Sequence, residues 1–368
     1  MAHGSWLMAH GLWAMLNAEY TSYKLKAIKS KCQFQFALKN IEDILDSSMI
    51  SYQMEIYAME QEIHHYRRFR GYDYRQGASL FISISTEPRM DCFGTVRNAK
   101  VLLSPLGTEV FQSIKAIPRF NPDISLFGHV LMPDHTHFRV YLPPNLPEPL
   151  KILGNAMRKF KTYTTTVARK KFGMSQLWQQ GYHDWLCLSR NFIESVERYI
   201  AYNPLKYELF NNQPELFHVV EPLIASRLDP ADYWKGIGNI SLLSTDMPIA
   251  SLRVSRSIQD FHSVLSQVAK LAEEGYAILS GFISPGEIAV RDMLIANPHA
   301  KIIHILTESM PYSYKPDSRY LLPLQEGRFL EIARGNAPAE FSRQTCLDLN
   351  QEIIEIAQAG LGKCLYFA

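Results

Sequence analysis

The sequence predicts two domains of different class, an α+β domain of the ferredoxin-like (RRM-like) type followed by a parallel α/β domain. Elements between about residues 80 and 202 follow the order β-α-β-β-α-β-α, the split βαβ pattern with one added helix. From about residue 245, short apolar strands alternate with helical patterns. The 368 residues exceed one ordinary domain, and a hydrophobic content of 47% supplies two cores. We therefore predict a helical, partly disordered N-terminal extension (1–61), a first domain (62–215), a turn-rich linker (216–244) and a second domain (245–368).

Apolar spacing and proline positions define the elements of the first domain. A β-rich run over 80–85 ends before Pro88, and a helical pattern over 101–117 is closed by Pro118. Two apolar strands, 124–132 and 135–142, are joined tightly at Pro133-Asp134 as a hairpin. A long helix over 147–172, a short aromatic strand over 177–186 and a final helix over 191–202 follow. That last helix is expected to stop at Asn203-Pro204, because proline disfavours continuation.

The second domain alternates strands with helices. We expect strands at 249–254, 276–280, 301–306 and 328–332, and helices at 258–274, 288–296 and 343–359. A glycine-containing turn over 281–287 opens the middle helix. Such a turn can bind phosphate through backbone N–H groups and the helix dipole, or it can be part of an inert scaffold.

Charge and cysteine usage limit the class of protein. Residues 62–215 carry 20 Lys and Arg against 13 Asp and Glu, whereas residues 245–368 carry 11 against 14. A polyanionic partner is therefore expected on the first domain. The five cysteines are scattered without a CxxC pair, which indicates a reducing compartment, and no apolar run approaches the roughly 20 residues of a membrane span. We expect a cytoplasmic protein without membrane contact.

Two histidines spaced i, i+2 mark the candidate site. Alternate residues of a strand share a face, so His135 and His137 point the same way. Two imidazoles on one rigid strand can hold a divalent metal ion. A catalytic ion usually needs a further ligand and open positions for substrate.

The final helix of the first domain offers that further ligand and a nucleophile. Tyr199 and Asn203 lie four residues apart, so both side chains can project toward one point. Two imidazoles, an amide oxygen and a phenol suit cleavage of a phosphodiester, in which the ion polarises a phosphoryl oxygen and the phenol attacks. Tyr202 is an alternative nucleophile on the same helix, but it has the poorer spacing to Asn203.

Basic residues interleaved with aromatic ones predict a nucleic-acid surface in two places, the stretch that opens the first domain and its long helix. Cations contact phosphates and rings stack on bases. The candidate DNA-binding residues are Arg67, Arg68, Arg70, Tyr72 and Arg75 in the opening stretch, and Arg158, Lys159, Lys161, Arg169, Lys170 and Lys171 in the helix.

Four motifs in order give the first domain a family resemblance. They are the stretches 70–75 (RGYDYR), 132–137 (MPDHTH), 178–184 (WQQGYHD) and 199–204 (YIAYNP). Together they resemble the REP-associated tyrosine transposases, a branch of the single-tyrosine HUH nuclease superfamily. The resemblance implies Mg²⁺ or Mn²⁺ on His135, His137 and Asn203, and Tyr199 as the nucleophile that forms a 5′-phosphotyrosine. It also implies single-stranded or hairpin DNA of short palindromic repeats as substrate, and a monomer or homodimer.

The second domain more weakly resembles the Rossmann-like fold of the DNA-processing protein A family. The resemblance is carried by the stretches 254–256, 280–287, 314–316 and 326–330. It implies single-stranded DNA binding. Two other functions stay open for the whole chain, a domesticated DNA-binding protein that no longer cuts and a metal phosphoesterase that uses activated water. We predict a metal-dependent transposase-type nuclease.

Overall fold

The computed structural model describes residues 71–255, 257–311, 314–336 and 342–367. The chain forms two compact units that divide between Glu208 and Leu209. The predicted extension 1–61 and three predicted DNA-binding residues, Arg67, Arg68 and Arg70, lie outside the described residues. Among the described residues, no helix combines the length and apolarity that a membrane crossing needs.

The first unit is built on an antiparallel sheet of four strands in the order β4-β5-β1-β6, with a separate hairpin β2-β3. Its elements in chain order are β1 (Ala78–Ser85), β2 (Gly94–Arg97), β3 (Lys100–Leu103), α1 (Pro105–Lys115), α2 (Ile117–Phe120), β4 (Ser125–Leu131), β5 (His135–Leu142), α3 (Pro149–Phe172), β6 (His183–Leu186) and α4 (Arg190–Asn212). The predicted hairpin at Pro133-Asp134 is confirmed by the pairing of β4 with β5.

The two faces of this sheet carry different residues. One face is apolar: Ile82 of β1 and Phe138 of β5 form the main core with Val110 of α1 and Phe160 of α3. Because side chains alternate along a strand, the histidines of β5 lie on the opposite face. The candidate site and the long basic helix α3 are therefore on opposite sides of the sheet.

The β2-β3 hairpin replaces the beginning of the helix predicted over 101–117. α1 begins only at Pro105, where the hydroxyl of Ser104 caps its first turn. The hairpin turn places Asn98 and Ala99 at φ of 53° and 55°, the conformation of a type I′ turn. Alanine rarely adopts this conformation, so the turn left no recognisable signal. The Glu208 carboxylate accepts hydrogen bonds from both turn N–H groups, at 2.9 and 2.6 Å.

Helix α4 continues past the point where the sequence predicted its end. It runs through Pro204 to Asn212, so the prediction of a stop at Asn203-Pro204 is wrong. Proline removes one N–H donor, the one that would reach the carbonyl of Ile200. The apolar packing of Val196 and Ile200 against Phe81 of the sheet outweighs that loss.

The second unit holds a mixed sheet of six strands in the order β12-β8-β9-β10-β11-β7, parallel throughout except for β7. Its elements are β7 (Trp234–Gly238), β8 (Ile249–Val254), α5 (Phe261–Glu273), β9 (Ala277–Ser280), α6 (Pro285–Ala296), β10 (Lys301–Ile305), α7 (Leu321–Gln325), β11 (Phe329–Arg334), α8 (Arg343–Gln358) and β12 (Gly362–Phe367). The expected alternation of strands and helices is present. Two further strands, β7 and β12, form the edges of the sheet.

The segment predicted as a linker, 216–244, packs into this second unit. It supplies β7, antiparallel to β11, and buries Leu223 and Trp234. The glycines that suggested a linker lie within the strand. A Cβ at Gly236 would approach the Leu223 side chain to 2.7 Å, and Gly238 has a φ of 107°. Glycine here allows close packing and a special backbone conformation inside a strand, rather than a flexible connection.

Candidate active site

The two histidines of β5 lie side by side, with ring centroids 4.6 Å apart. In the register of the sheet, His135 faces Ser85 of β1 and His137 faces Ser83. These serines are the directly opposite residues on β1, and the ring of Phe81 on the same strand lies 5.1 Å from that of His137.

A buried carboxylate orients the first histidine. Asp134 accepts a hydrogen bond from Nδ1 of His135 at 2.5 Å, and its second oxygen lies 2.6 Å from Nη1 of Arg89. Burial alone raises the pKa of the Asp134 carboxyl, but the hydrogen bonds from His135 and Arg89 and the charge of Arg89 outweigh it and lower the pKa. With Nδ1 of His135 bonded to the carboxylate, Nε2 is the ring nitrogen left to bind a metal ion, as in carboxylate–histidine–metal arrangements.

The second histidine is buried and neutral. Burial, together with the charge of Arg89, holds the pKa of His137 well below its ordinary value. Nδ1 of His137 is buried without a hydrogen-bond partner among the described residues, and Nε2 lies 3.4 Å from Oη of Tyr199. A neutral imidazole is the protonation state that binds a metal ion.

Helix α4 brings Tyr199 against the histidines. Its ring lies 5.2 Å from that of His137 and meets Phe81 edge-on at 5.8 Å. Burial raises the pKa of the Tyr199 phenol, and a hydrogen bond with Asn203 opposes that shift. Asn203 is buried one turn farther along the helix. Of the two candidate tyrosines, Tyr199 is the one whose contact with His137 is seen.

An ion pair that the sequence analysis did not identify fixes this helix to the sheet. Arg139 follows the histidines on the same face of β5, and its Nε lies 2.5 Å from Oε1 of Glu197. Its guanidinium also donates to the Ser79 hydroxyl at 2.9 Å and covers the Phe127 ring at 4.1 Å. A Cβ at Gly128 would approach the Glu197 carboxylate to 2.0 Å, so glycine there leaves room for the pair.

A lysine near Tyr199 was also not predicted from the sequence. The Nζ of Lys206 lies 5.7 Å from the centroid of the Tyr199 ring. The spacing i, i+7 places both residues on one face of a helix, which could have been recognised in the sequence once the helix was known to pass Pro204. The ammonium group brings positive charge to the phenol and to any phosphate bound beside it.

The donors that meet here suit a divalent cation. Two imidazoles and one amide oxygen are available, one imidazole fixed by Asp134 and the other neutral with an unpartnered buried nitrogen. Among the described residues, no group of three or more His, Cys, Asp and Glu side chains could hold a metal ion. The predicted ligand set contains only two residues of these types, His135 and His137, with Asn203 as its third member. A hard cation such as Mg²⁺ accepts such a set when phosphate and water oxygens complete its coordination.

The predicted DNA-binding residues are not all brought to this site. In the opening stretch, Tyr72 donates to the carbonyl of Gly77 at 2.5 Å and Arg75 pairs with Asp73 at 2.9 Å. On α3, Lys161 donates to the carbonyls of Gln179 and Gly181.

The remaining cations of α3 are exposed on its surface. Lys171 pairs with Glu109 at 2.6 Å, Arg158 donates to Asn155 at 3.0 Å and Arg169 to the carbonyl of Ser175 at 3.5 Å. Lys159 and Lys170 are exposed on the same helix. Because α3 covers the apolar face of the sheet, a strand bound at the histidines would have to pass around the sheet to reach these cations.

In the second unit, the turn before α6 is already closed by an acid. Glu287 is buried, and its carboxylate accepts from the N–H groups of Ile283, Ser284 and Val254 at 2.8 to 3.2 Å. Ser284 and Glu287 form a capping box at this helix end. The N–H groups of Ile283 and Ser284, which a phosphate in this turn would use, are thus occupied by the protein's own carboxylate.

Comparisons with known proteins give distant likenesses. No protein-family model matches the chain. An uncharacterized protein from Haemophilus influenzae is 29% identical over 165 residues, which cover 40% of this chain and 92% of that protein. A REP-associated tyrosine transposase bound to a REP hairpin has 20% identity over 39% of this chain and 74% of its own, with a TM-score of 0.31. DNA processing protein A from Helicobacter pylori has 18% identity over 38% of this chain and 66% of its own, with a TM-score of 0.29. At these TM-scores the likenesses carry no argument for function, which depends on the geometry of the site.

Proposed function

We propose that the first unit is a metal-dependent nuclease of the transposase type, which cleaves single-stranded or hairpin DNA with Tyr199 as nucleophile. The observation that carries the proposal is the 3.4 Å approach of the Tyr199 phenol to Nε2 of His137. These residues are 62 positions apart, on a helix and a strand. A phenol that contacts a neutral, metal-competent imidazole is what a tyrosine nuclease requires.

The residues divide the chemistry as follows. His135, His137 and Asn203 would hold Mg²⁺ or Mn²⁺, which supplies positive charge that polarises a phosphoryl oxygen. Tyr199 Oη attacks the phosphorus, the phosphorus–O3′ bond breaks, and the products are a 5′-phosphotyrosine and a free 3′-hydroxyl. The phenol loses a proton as the leaving oxygen gains one. Lys206 places a further positive charge near the Tyr199 ring, and burial raises the pKa of the Tyr199 phenol.

The sheet supports a finer assignment of the fold. When the four strands of the first sheet are counted along the chain, their order across the sheet is second, third, first and fourth. This is the strand order of a ferredoxin-like domain. We assign the first unit to the HUH nuclease type on this basis together with the histidine pair. The parallel strands of the second unit and the helices between them support a Rossmann-like assignment, and its binding of single-stranded DNA stays a prediction from the resemblance. Cytoplasmic location and a monomeric or homodimeric state remain predictions.

The test is covalent capture of DNA. The full chain is incubated with a hairpin-containing single strand and Mg²⁺, and the products are separated on a denaturing gel. A protein–DNA adduct is expected with the wild type and none with Tyr199→Phe, while Tyr202→Phe serves as the matched control and retains it. An adduct that persists in Tyr199→Phe contradicts the assignment. Cleavage without any adduct indicates activated water, and binding without cleavage indicates a domesticated DNA-binding protein.

A further inference from the structure

The face of the sheet that carries the histidines continues as a row of rings toward its edge. His183 and Trp185 lie on the edge strand β6 with their rings stacked at 5.9 Å. Trp185 lies 5.5 Å from Phe81 of β1, and Phe81 lies 5.1 Å from His137. Aromatic side chains therefore connect the edge of the sheet to the candidate site without interruption.

In the next row of residues on the same face, β1 carries a small side chain, Ser83, and the space above Ser83 is here called the gap. Ser83 of β1 is opposite His137 on one side and opposite His183 on the other. Neighbouring strands are about 4.8 Å apart, so the backbones at His137 and His183 are about 10 Å apart, with Ser83 between them in the register. Ser83 is half-buried and His183 exposed, so solvent reaches this gap. A planar ring placed above Ser83 would lie about 5 Å from the exposed imidazole of His183, within the range of stacked aromatic pairs.

We propose that this gap receives an unpaired nucleobase next to the scissile phosphate, stacked on the ledge formed by His183 and Trp185. The proposal rests on the function proposed above and names the substrate contact of that same site. A base in a duplex has its faces covered by its neighbours, so only an unpaired base can enter. Stacking on a ring is tolerant of base identity. Selection for single-stranded DNA at the cleavage point then follows from the shape of the ledge.

Binding measurements test the ledge separately from cleavage. In the Tyr199→Phe background, anisotropy of a labelled oligothymidylate measures affinity for a single strand. Loss of one base–ring stack weakens binding by about 5- to 150-fold, and we expect His183→Ala to fall in this range while His183→Phe keeps most of the affinity. Ser83→Leu, which fills the gap and leaves the ledge intact, should weaken binding as well. Tyr163→Ala is the matched control, since Tyr163 is 57% exposed on α3, across the sheet from the ledge.

A direct readout uses a hairpin oligonucleotide with a fluorescent adenine analogue at successive positions around the mapped cleavage point. Stacking quenches such an analogue, so we expect one quenched position with Tyr199→Phe and recovery of its fluorescence with His183→Ala. Equal affinities of His183→Ala and Tyr163→Ala, or no quenched position in a protein that forms the adduct, would overturn the ledge while leaving the nuclease intact. No adduct and no single-strand binding by the wild type would instead remove the proposed function, and the ledge with it.

Discussion

Replacing Glu197 by alanine should loosen the helix that carries Tyr199, the proposed nucleophile. The Arg139–Glu197 pair joins β5 to α4, and its side chains are only 10% and 34% exposed. Removing one member of a fully buried pair typically costs ~3–5 kcal/mol, because the other charge is left without a partner. Arg139 would retain the Ser79 hydroxyl and the Phe127 ring. The loss is then closer to that of one hydrogen bond between charged groups, about 2 kcal/mol.

Hydrogen exchange of α4 measures this loss where it occurs. With two compact units, a single unfolding curve mixes their stabilities, whereas exchange of helix peptides reports local opening. A loss of about 2 kcal/mol corresponds to about 30-fold faster exchange. The yield of adduct should fall with it, because Tyr199 and Asn203 are on the loosened helix.

The same helix provides the control. Glu194 pairs with Arg190 at 3.0 Å, but these side chains are 51% and 90% exposed. An exposed pair of this kind contributes at most about 0.5 kcal/mol, so Glu194→Ala should speed exchange by no more than about twofold. If Glu194→Ala and Glu197→Ala accelerate exchange equally, the buried pair does not anchor the helix and the reasoning is refuted.

Three further outcomes follow from the same contacts. His137→Ala should abolish metal-dependent adduct formation, whereas His129→Ala, whose ring packs on Phe111 across the sheet, should keep it; adduct formed in the presence of a chelator would contradict the metal. Lys206→Met should slow adduct formation at least tenfold with little change in single-strand affinity, and equal losses in both would indicate binding alone. Burial raises the pKa of the Cys92 thiol to about 11, so at pH 8 its reactive thiolate is about 100-fold rarer than for an ordinary thiol. Alkylation followed by mass spectrometry should therefore label the exposed Cys364 well before Cys92.

Local sequence patterns predicted most of the first sheet but not the separate β2-β3 hairpin. Alternation placed the strand His135–Leu142 correctly, because one face of β5 is apolar and the other carries polar side chains. The β2-β3 hairpin was missed because its turn uses Ala99 in a conformation that a glycine usually supplies, supported by the carboxylate of Glu208 more than 100 residues away. In the segment 216–244, the glycines of β7 led to the prediction of a linker, although they lie in a strand. Glycine serves both close packing and flexible connections, so the sequence alone does not distinguish the two.

Some features of the candidate site could not be predicted from local sequence patterns. The i, i+4 spacing of Tyr199 and Asn203 is visible in the sequence, but the following proline indicated a helix end that would have left the direction of Asn203 undefined. The helix continues through Pro204, so Asn203 keeps helical geometry and its side chain meets the phenol. Continuation also places Lys206 beside Tyr199. The strand of the histidines and the helix of Tyr199 are held together by an ion pair between Arg139 and Glu197, which are 58 residues apart. No local sequence periodicity predicts that contact. The pairing of Tyr199 with Asn203 could therefore be predicted from spacing and resemblance, whereas the ion pair that anchors their helix requires the folded chain.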